Sequence, residues 1–275
     1  MLIASRPFFP PRMGKKVLGP EEARAQGAAL SFGIGFALSF EGMIKGFYIT
    51  ASGMLARELV QEVLANNVAN SGTVGFKRDR VIFRGVLEGT YGPEGVLRVR
   101  TDHAQGPLIR TGNPLDLAIQ GRGFFVVETP EGIRYTRDGH FSLDEEGTLV
   151  TAEGYPVLGE GGTLELDLGG AVSFGEDGTV KVGDVVVGRL RVEDFDDLGA
   201  LKKVGGGLFV ADVEGRPAED FRIRQGFLEG ANVSPVAEMV RMISNYRAYE
   251  AEQRALLAQD ETLRKAVNEV GRVGR

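Results

Sequence analysis

Cysteine is absent from this chain of 275 residues, which excludes disulfides, thiolate metal sites, iron–sulfur clusters and cysteine nucleophiles together. Histidine is nearly absent. His103 and His140 are the only two, too few for a multi-histidine metal site or a paired histidine relay within one chain. Tryptophan is missing as well, so the broad aromatic platform common at sugar sites is not available to any pair of carboxylates that might converge. Long apolar runs are also lacking: the longest, Ala28 to Phe40, has 13 residues, against the roughly 20 needed to span a bilayer. Direct membrane insertion is not expected.

The motifs of common catalytic sites are missing too. Gly121 to Phe125 opens a strand-like run rather than a phosphate-binding helix, and Gly205 to Gly207 lack a following lysine. His140 follows Arg137, Asp138 and Gly139, but no G-x-S-x-G accompanies it, so a hairpin turn with an exposed histidine is expected. The acidic cluster Glu193, Asp194, Asp196 and Asp197 fails as a calcium loop, because Leu198 and Gly205 occupy positions that need oxygen donors. A solvated turn is expected there. No catalytic, cofactor-binding or metal-ligating residue is assigned, and no small-molecule substrate.

What the chain does have is glycine: 40 residues, about twice the usual share, which calls for many turns. Its 43% hydrophobic and 25% charged content is that of a globular protein, and its net charge is −6. Between 141 and 220 stand 18 acidic residues against 6 basic ones. A phosphate backbone would be repelled by that region, so nucleic acid is not an expected partner.

Residues 1–42 read differently from the rest, with Pro10–Pro11, Lys15–Lys16 and the short apolar run, and Met43 is expected to be the true first residue. From Met43 a helical pattern begins. Ala51, Leu55, Leu59 and Val63 form one row, and Ala56, Val60, Leu64 and Val68 a second beside it, making an apolar face wider than one partner fills. Asn70, Ser71, Gly72 and Gly75 end the helix. Glycines and prolines interrupt 81–110, where extended or irregular backbone is expected. Over 111–225, short β-prone runs alternate with turns: GFFVVE, IRYT, HFSL, TLVT, TLELDL, TVKV, DVVVGRLRV and GLFVA. In TLELDL, Leu164, Leu166 and Leu168 fall on one face and Glu165 and Asp167 on the other, predicting a sheet with one wet face.

The tail carries the cleanest periodicity. Met239, Met242, Tyr246, Tyr249, Gln253, Leu256, Asp260, Leu263, Val267 and Val270 follow alternating steps of three and four, and only Gln253 and Asp260 are polar. A coiled-coil helix over 233–270 would be about 57 Å long, more than this body needs to cover its own core. Apolar surface is left over, and an unmatched stripe of several hundred Å² favours association by several kcal/mol at about 25 cal/mol per Å². The chain is therefore read as a mainly β body with long N- and C-terminal α-helices of coiled-coil type. Its parts are an extension (1–42), an N-terminal helix (43–80), an extended linker (81–110), a β-rich domain (111–225) and a C-terminal helix (226–275).

Three strings resemble one family. MIKGFYITASGM with ANNVANSGTVGFK (43–54 and 65–77), the stretch from Thr111 to Gly159, and LEGANVSPVAEMVRMISNYRAYE (228–250) resemble the start, centre and tail of the flagellar rod and hook proteins, in the same order. The resemblance covers Met43 to about Val270 and implies a structural subunit without enzymatic activity. In that family the terminal helices form the inner layer of an axial filament, and the β body lies outside. It also implies self and homologous rod subunits as partners, export by the flagellar type III apparatus without a cleaved signal peptide, and a place in the periplasmic rod of the basal body. The short link at 81–110 favours the proximal-rod type over the distal-rod type.

Carried over by residue, Asn66, Asn67, Asn70, Gly75, Phe76 and Lys77 would close the first helix. Gly112, Pro114, Leu115, Asp116, Gly121, Gly123, Phe124 and Phe125 would open the body. Asn232, Val233, Glu238, Met239, Met242, Ile243, Arg247, Tyr249 and Glu250 would begin the tail helix. The assembly residues expected are Leu55, Leu59, Asn66, Asn67, Asn70, Gly75, Phe76, Met239, Met242, Ile243, Tyr246, Tyr249, Leu256 and Leu263. A secreted carbohydrate-active or carbohydrate-binding β protein is the competing class, and an unrelated coiled-coil adhesin a third.

Overall fold

Strand Phe124–Thr129 is buried on both faces, and the β body is built around it. Successive side chains point to opposite sides of a strand. Phe125 and Val127 therefore enter one core with Leu117, Ile119, Phe141, Leu149 and Leu190, while Phe124 and Val126 enter a second with Tyr135, Leu158, Phe195, Leu201 and Phe209. Aromatic and β-branched side chains suit a pleat packed on both sides.

The computed structural model describes residues 46–47, 49–83, 97–166 and 169–273. Two compact units divide the chain: residues 52–253, and residues 1–51 with 254–275. In the first, six antiparallel strands stand in the order Leu201–Gly205, Leu208–Ala211, Gly132–Thr136, Phe124–Thr129, Val192–Asp194 and Arg216–Pro217. A second sheet runs Val172–Phe174, Thr179–Val182 and Val185–Arg189. Smaller pairs complete the body. Strand Leu108–Arg110 pairs with Phe227–Glu229, and Leu117–Gly121 with Phe221–Gln225. The chain thus enters and leaves the body on paired strands, which brings the two helix roots side by side.

Helix α1 covers 49–69, and its end at Asn70 is closed by Asn70 itself, whose Nδ2 donates to the Asn66 carbonyl at 2.9 Å. Helix α2 runs Pro235–Val273. In the unit containing 254–275, α2 carries Arg264–Asp260 and Lys265–Glu261 ion pairs one turn apart, and Gly46 leaves room for Gln259.

Several expectations need correction. The 81–110 segment is not a simple link: Asp79–Phe83 and Leu97–Thr101 form an antiparallel pair in unbroken register from Asp79↔Thr101 to Phe83↔Leu97. Gly85, Gly89, Gly92 and Gly95 fall between the two arms and Gly106 after the second, so they do not break them. TLELDL is no regular strand, since Gly162–Thr163 pairs with Leu158–Gly159 and Glu165 makes a single bridge to Thr148. Leu164 and Leu166 are nonetheless buried and Glu165 exposed. The central sheet has no wet face at Phe124–Val127, because a second core lies behind it. Glu193 and Asp194 are not in a solvated turn; they are buried in strand Val192–Asp194, where Arg191 reaches Glu193 at 2.5 Å and Arg122 reaches Asp194 at 3.0 Å. Residues 1–42, Met43, Asp167 and Leu168 lie outside the described residues.

Phe125 has no exposed surface. Phe125→Ala should cost about 3–5 kcal/mol of stability, read as a lowered midpoint in urea unfolding.

Candidate assembly interface

The residues that join the helices to the body converge on one carboxylate. Glu229, at the end of the last body strand, is fully buried. Its Oε1 accepts from Lys77 Nζ at 2.5 Å and from the Gly106 N–H at 2.8 Å, and its Oε2 accepts from Arg137 at 3.1 Å. The Gly75 N–H donates to the Glu229 carbonyl at 2.7 Å. Only glycine fits at 75: φ is 67°, and a Cβ would lie 2.5 Å from the Asp138 nitrogen. Lys77 also donates to the Ala104 carbonyl. Burial pulls the Lys77 and Arg137 pKa values down, and the Glu229 charge opposes that shift.

Asparagines lock the same junction. Asn67 exchanges two hydrogen bonds with the Asp79 backbone, at 2.8 and 2.9 Å, so its amide serves the first strand rather than the helix end. Asn232 accepts from the Arg78 N–H at 2.7 Å and donates to the Asp102 and Ala104 carbonyls. Phe76 is buried under the Lys203 ammonium, 4.2 Å from its ring centroid.

Within residues 52–253 the two helices meet through polar groups. Asn245 Nδ2 donates to the Arg57 carbonyl and to Gln61 Oε1, Arg57 pairs with Glu252 at 3.2 Å, and Gly53 gives Glu252 room. Glu238 is buried and pairs with Arg241 at 2.6 Å. Glu238, Asn245, Glu252 and Gln259 are spaced by seven, a polar row that the sequence reading passed over in favour of the apolar one. Each carries a buried oxygen without a hydrogen-bond partner.

The expected apolar stripe is consequently split. Met242, Tyr249, Leu256 and Leu263 are half-buried. Met239 and Tyr246 point outward with Ile243, at 49%, 56% and 56% exposure, and are joined by Val236 and Val240. On α1, Leu55 is 62% exposed, Leu59 half-buried, Asn66 exposed and Asn70 half-buried. Among the described residues no group of three acidic or histidine side chains is placed to hold a metal. His140 is exposed and pairs with Asp116 at 3.0 Å.

A cleft of about 640 Å³ opens beside α1, lined by Leu59, Val63, Asn66, Phe76, Val99 and Phe209 among others. His103 sits behind this region against Phe124 and Phe209, with ring centroids 5.8 and 5.3 Å away. Burial, followed by the nearby charges of Lys77, Lys203 and Arg137, lowers its pKa to about 4.

A β body with both chain ends rooted together and an uncovered apolar helix face defines a structural, assembling protein. Comparisons with known proteins agree. Three family models match: Flagella basal body rod protein over residues 47–77, Flagellar hook protein FlgE/F/G D1 domain over 118–182, and Flagellar basal body rod FlgEFG protein C-terminal over 224–269. The chain is 39% identical to the flagellar basal-body rod protein FlgF of Caulobacter vibrioides over 233 residues, covering 80% of this chain and 94% of that protein. With FlgF of Rhizobium meliloti it shares 35% over 240 residues, or 83% and 99% of the two chains. With FlgG of Bacillus subtilis it shares 31% over 261, or 82% and 99%. The chain belongs to the flagellar basal-body rod protein family of the FlgF/FlgG type. It is a structural rod subunit of the flagellum, assembles with other rod subunits, and is not an enzyme.

The His103 geometry sets a pH dependence. Because the folded state holds this ring neutral, the unfolded chain takes up its proton first as pH falls below about 6.5. Stability should drop from there toward pH 4, and His103→Leu should flatten the part above pH 5 in urea unfolding measured at several pH values.

Proposed function

We propose that this chain is a proximal-type rod subunit whose α1 and α2 form the inner, coiled-coil layer of the shaft, with the β body as the outer layer. The assembly residues and, apart from the 81–110 link, the domain limits given by the sequence belong to the same proposal. The observation that carries it is the outward row Val236, Met239, Val240, Ile243 and Tyr246, which the chain's own fold leaves uncovered. Burying that row between copies supplies the axial contacts, since apolar surface removed from water contributes about 25 cal/mol per Å². Torque then passes along packed helices, and the bodies set lateral spacing.

Export through the flagellar type III apparatus, without a cleaved signal peptide, and residence in the periplasmic rod belong to the same reading. Among the described residues no helix is long and apolar enough to cross a membrane. Neither nucleic acid nor a small-molecule substrate is proposed as a partner; the acidic stretch 141–220 disfavours the first.

Removing residues 239–275 should abolish rod assembly and motility in cells while the β body still folds, as judged by its circular dichroism and urea midpoint. Normal rods from the truncated chain would refute the proposal.

A further inference from the structure

The antiparallel pair Asp79–Phe83 and Leu97–Thr101 gathers its charge on one side. Arg80 stands directly opposite Arg100, and Ile82 opposite Arg98, so these four side chains share a face. All four are exposed. Arg78 and Asp102 continue the pairing one step beyond the strands, with the Asp102 N–H donating to the Arg78 carbonyl at 2.8 Å. Asp102 Oδ2 holds both Arg78, at 2.9 Å, and Arg80, at 2.8 Å; Arg78 also lies 4.0 Å from Glu238, which Arg241 already occupies. Among the described residues Arg98 and Arg100 pair with no carboxylate. Like charges directly opposite on a sheet face destabilise it, so this arrangement calls for an anion that the chain itself does not supply.

A cleft of about 520 Å³ opens beside this face, lined by Arg80, Ile82, Arg100, Asp102, Arg122 and Leu198 among others. Arg122 comes from the turn between strands Leu117–Gly121 and Phe124–Thr129; it pairs with Asp194 at 3.0 Å, and Arg216 shares that aspartate at 3.9 Å. Arg100 also lines the neighbouring cleft with Lys202 and Lys203, whose partners are Asp212 and Asp79. It is the cation common to both clefts, and it has no partner.

Size and charge narrow the ligand. The chain carries a net charge of −6, and its acidic 141–220 stretch repels a long polyanion, whereas a single dianionic group meets only the local excess of arginine. Guanidinium groups present paired N–H donors that match the oxygens of a phosphate. Ile82, Ala104 and Leu198 leave an apolar part of the wall for an organic remainder. We propose that the cleft binds a phosphate group between Arg80 and Arg100, with Arg122 as a third cation on its wall. The group is bound and not transformed, and the site is complete within one copy, so it goes beyond the rod-subunit reading and does not depend on stacking.

The test titrates the full-length chain with inorganic phosphate and, separately, with glycerol phosphate, each against sodium chloride of equal ionic strength. At about ten times the dissociation constant read from the titration, the thermal midpoint should stand about 2–4 °C above the chloride control. Arg100→Gln should weaken binding about tenfold, while Arg110→Gln, at an exposed position outside the cleft, should bind as the unmodified chain does. In low salt without phosphate, Arg100→Gln should unfold at a higher midpoint than the unmodified chain, because the opposed charges are gone. A stronger response to glycerol phosphate assigns a phosphate ester and a stronger response to inorganic phosphate the free ion; either supports the site. No rise beyond the chloride control, an equal rise in Arg100→Gln, or a lower midpoint for that variant without phosphate would overturn the proposal.

Discussion

One buried carboxylate fixes both ends of the body to the helices that leave it. Glu229 has no access to solvent, and a bare carboxylate in such a place would cost several kcal/mol. It persists because Lys77, Arg137 and the Gly106 N–H surround it. Each donor comes from a different part of the chain: Lys77 from the segment after α1, Gly106 from the stretch before the body, Arg137 from the end of a central strand. The glycines nearby follow from the same requirement, since a Cβ at Gly106 would sit 1.9 Å from the Gly230 carbonyl oxygen. Removing the carboxylate leaves two buried cations; keeping it forces four segments together.

That junction separates two kinds of surface. Inside, the body is closed by two apolar cores sharing strand Phe124–Thr129, and it has little need of the helices. Where α1 and α2 meet within residues 52–253, they do so through Asn245, Gln61, Arg57 and Glu252, a polar seam with unsatisfied oxygens. Polar seams specify register at a cost in stability. Val236, Met239, Val240, Ile243 and Tyr246 face outward, while Met242, Tyr249 and Leu256 are half-buried. In the proposed assembly, the outward-facing residues of such helices find their contacts on other subunits.

The body and the tail helix were legible in the sequence because their signals are local: FFVVET and TVKV alternate or cluster as strands, and the seven-residue period of the tail extends over several turns. Tertiary contact decided the rest. The same Phe124–Val127 run is compatible with one buried face or two, and only the position of Phe195 and Phe209 makes it two. Asp79–Phe83 and Leu97–Thr101 were hidden by the glycines between them. Asp194 looked like a surface acid because the arginines that pair with it, Arg122 and Arg216, are distant in sequence, and Glu193 because nothing local shows that its strand, where Arg191 pairs with it, is buried. Among the assembly residues, the heptad pattern was visible but its orientation was not. Periodicity identifies a stripe at Met239 and Tyr246, whereas Asn245 and Glu252 of the neighbouring polar row, which begins at Glu238, face α1. That row has the same period and could have been found by following polar as well as apolar residues.

Hydrogen exchange on Glu229→Ala, compared residue by residue with the unmodified chain, tests the central claim most directly. Breaking a buried pair of this kind costs about 3–5 kcal/mol. The account predicts that amides in 60–78 and 230–245 lose protection while those of strand Phe124–Thr129 keep theirs, because the carboxylate ties the roots and not the core. Unchanged protection at both roots, or equal loss throughout the body, would contradict it.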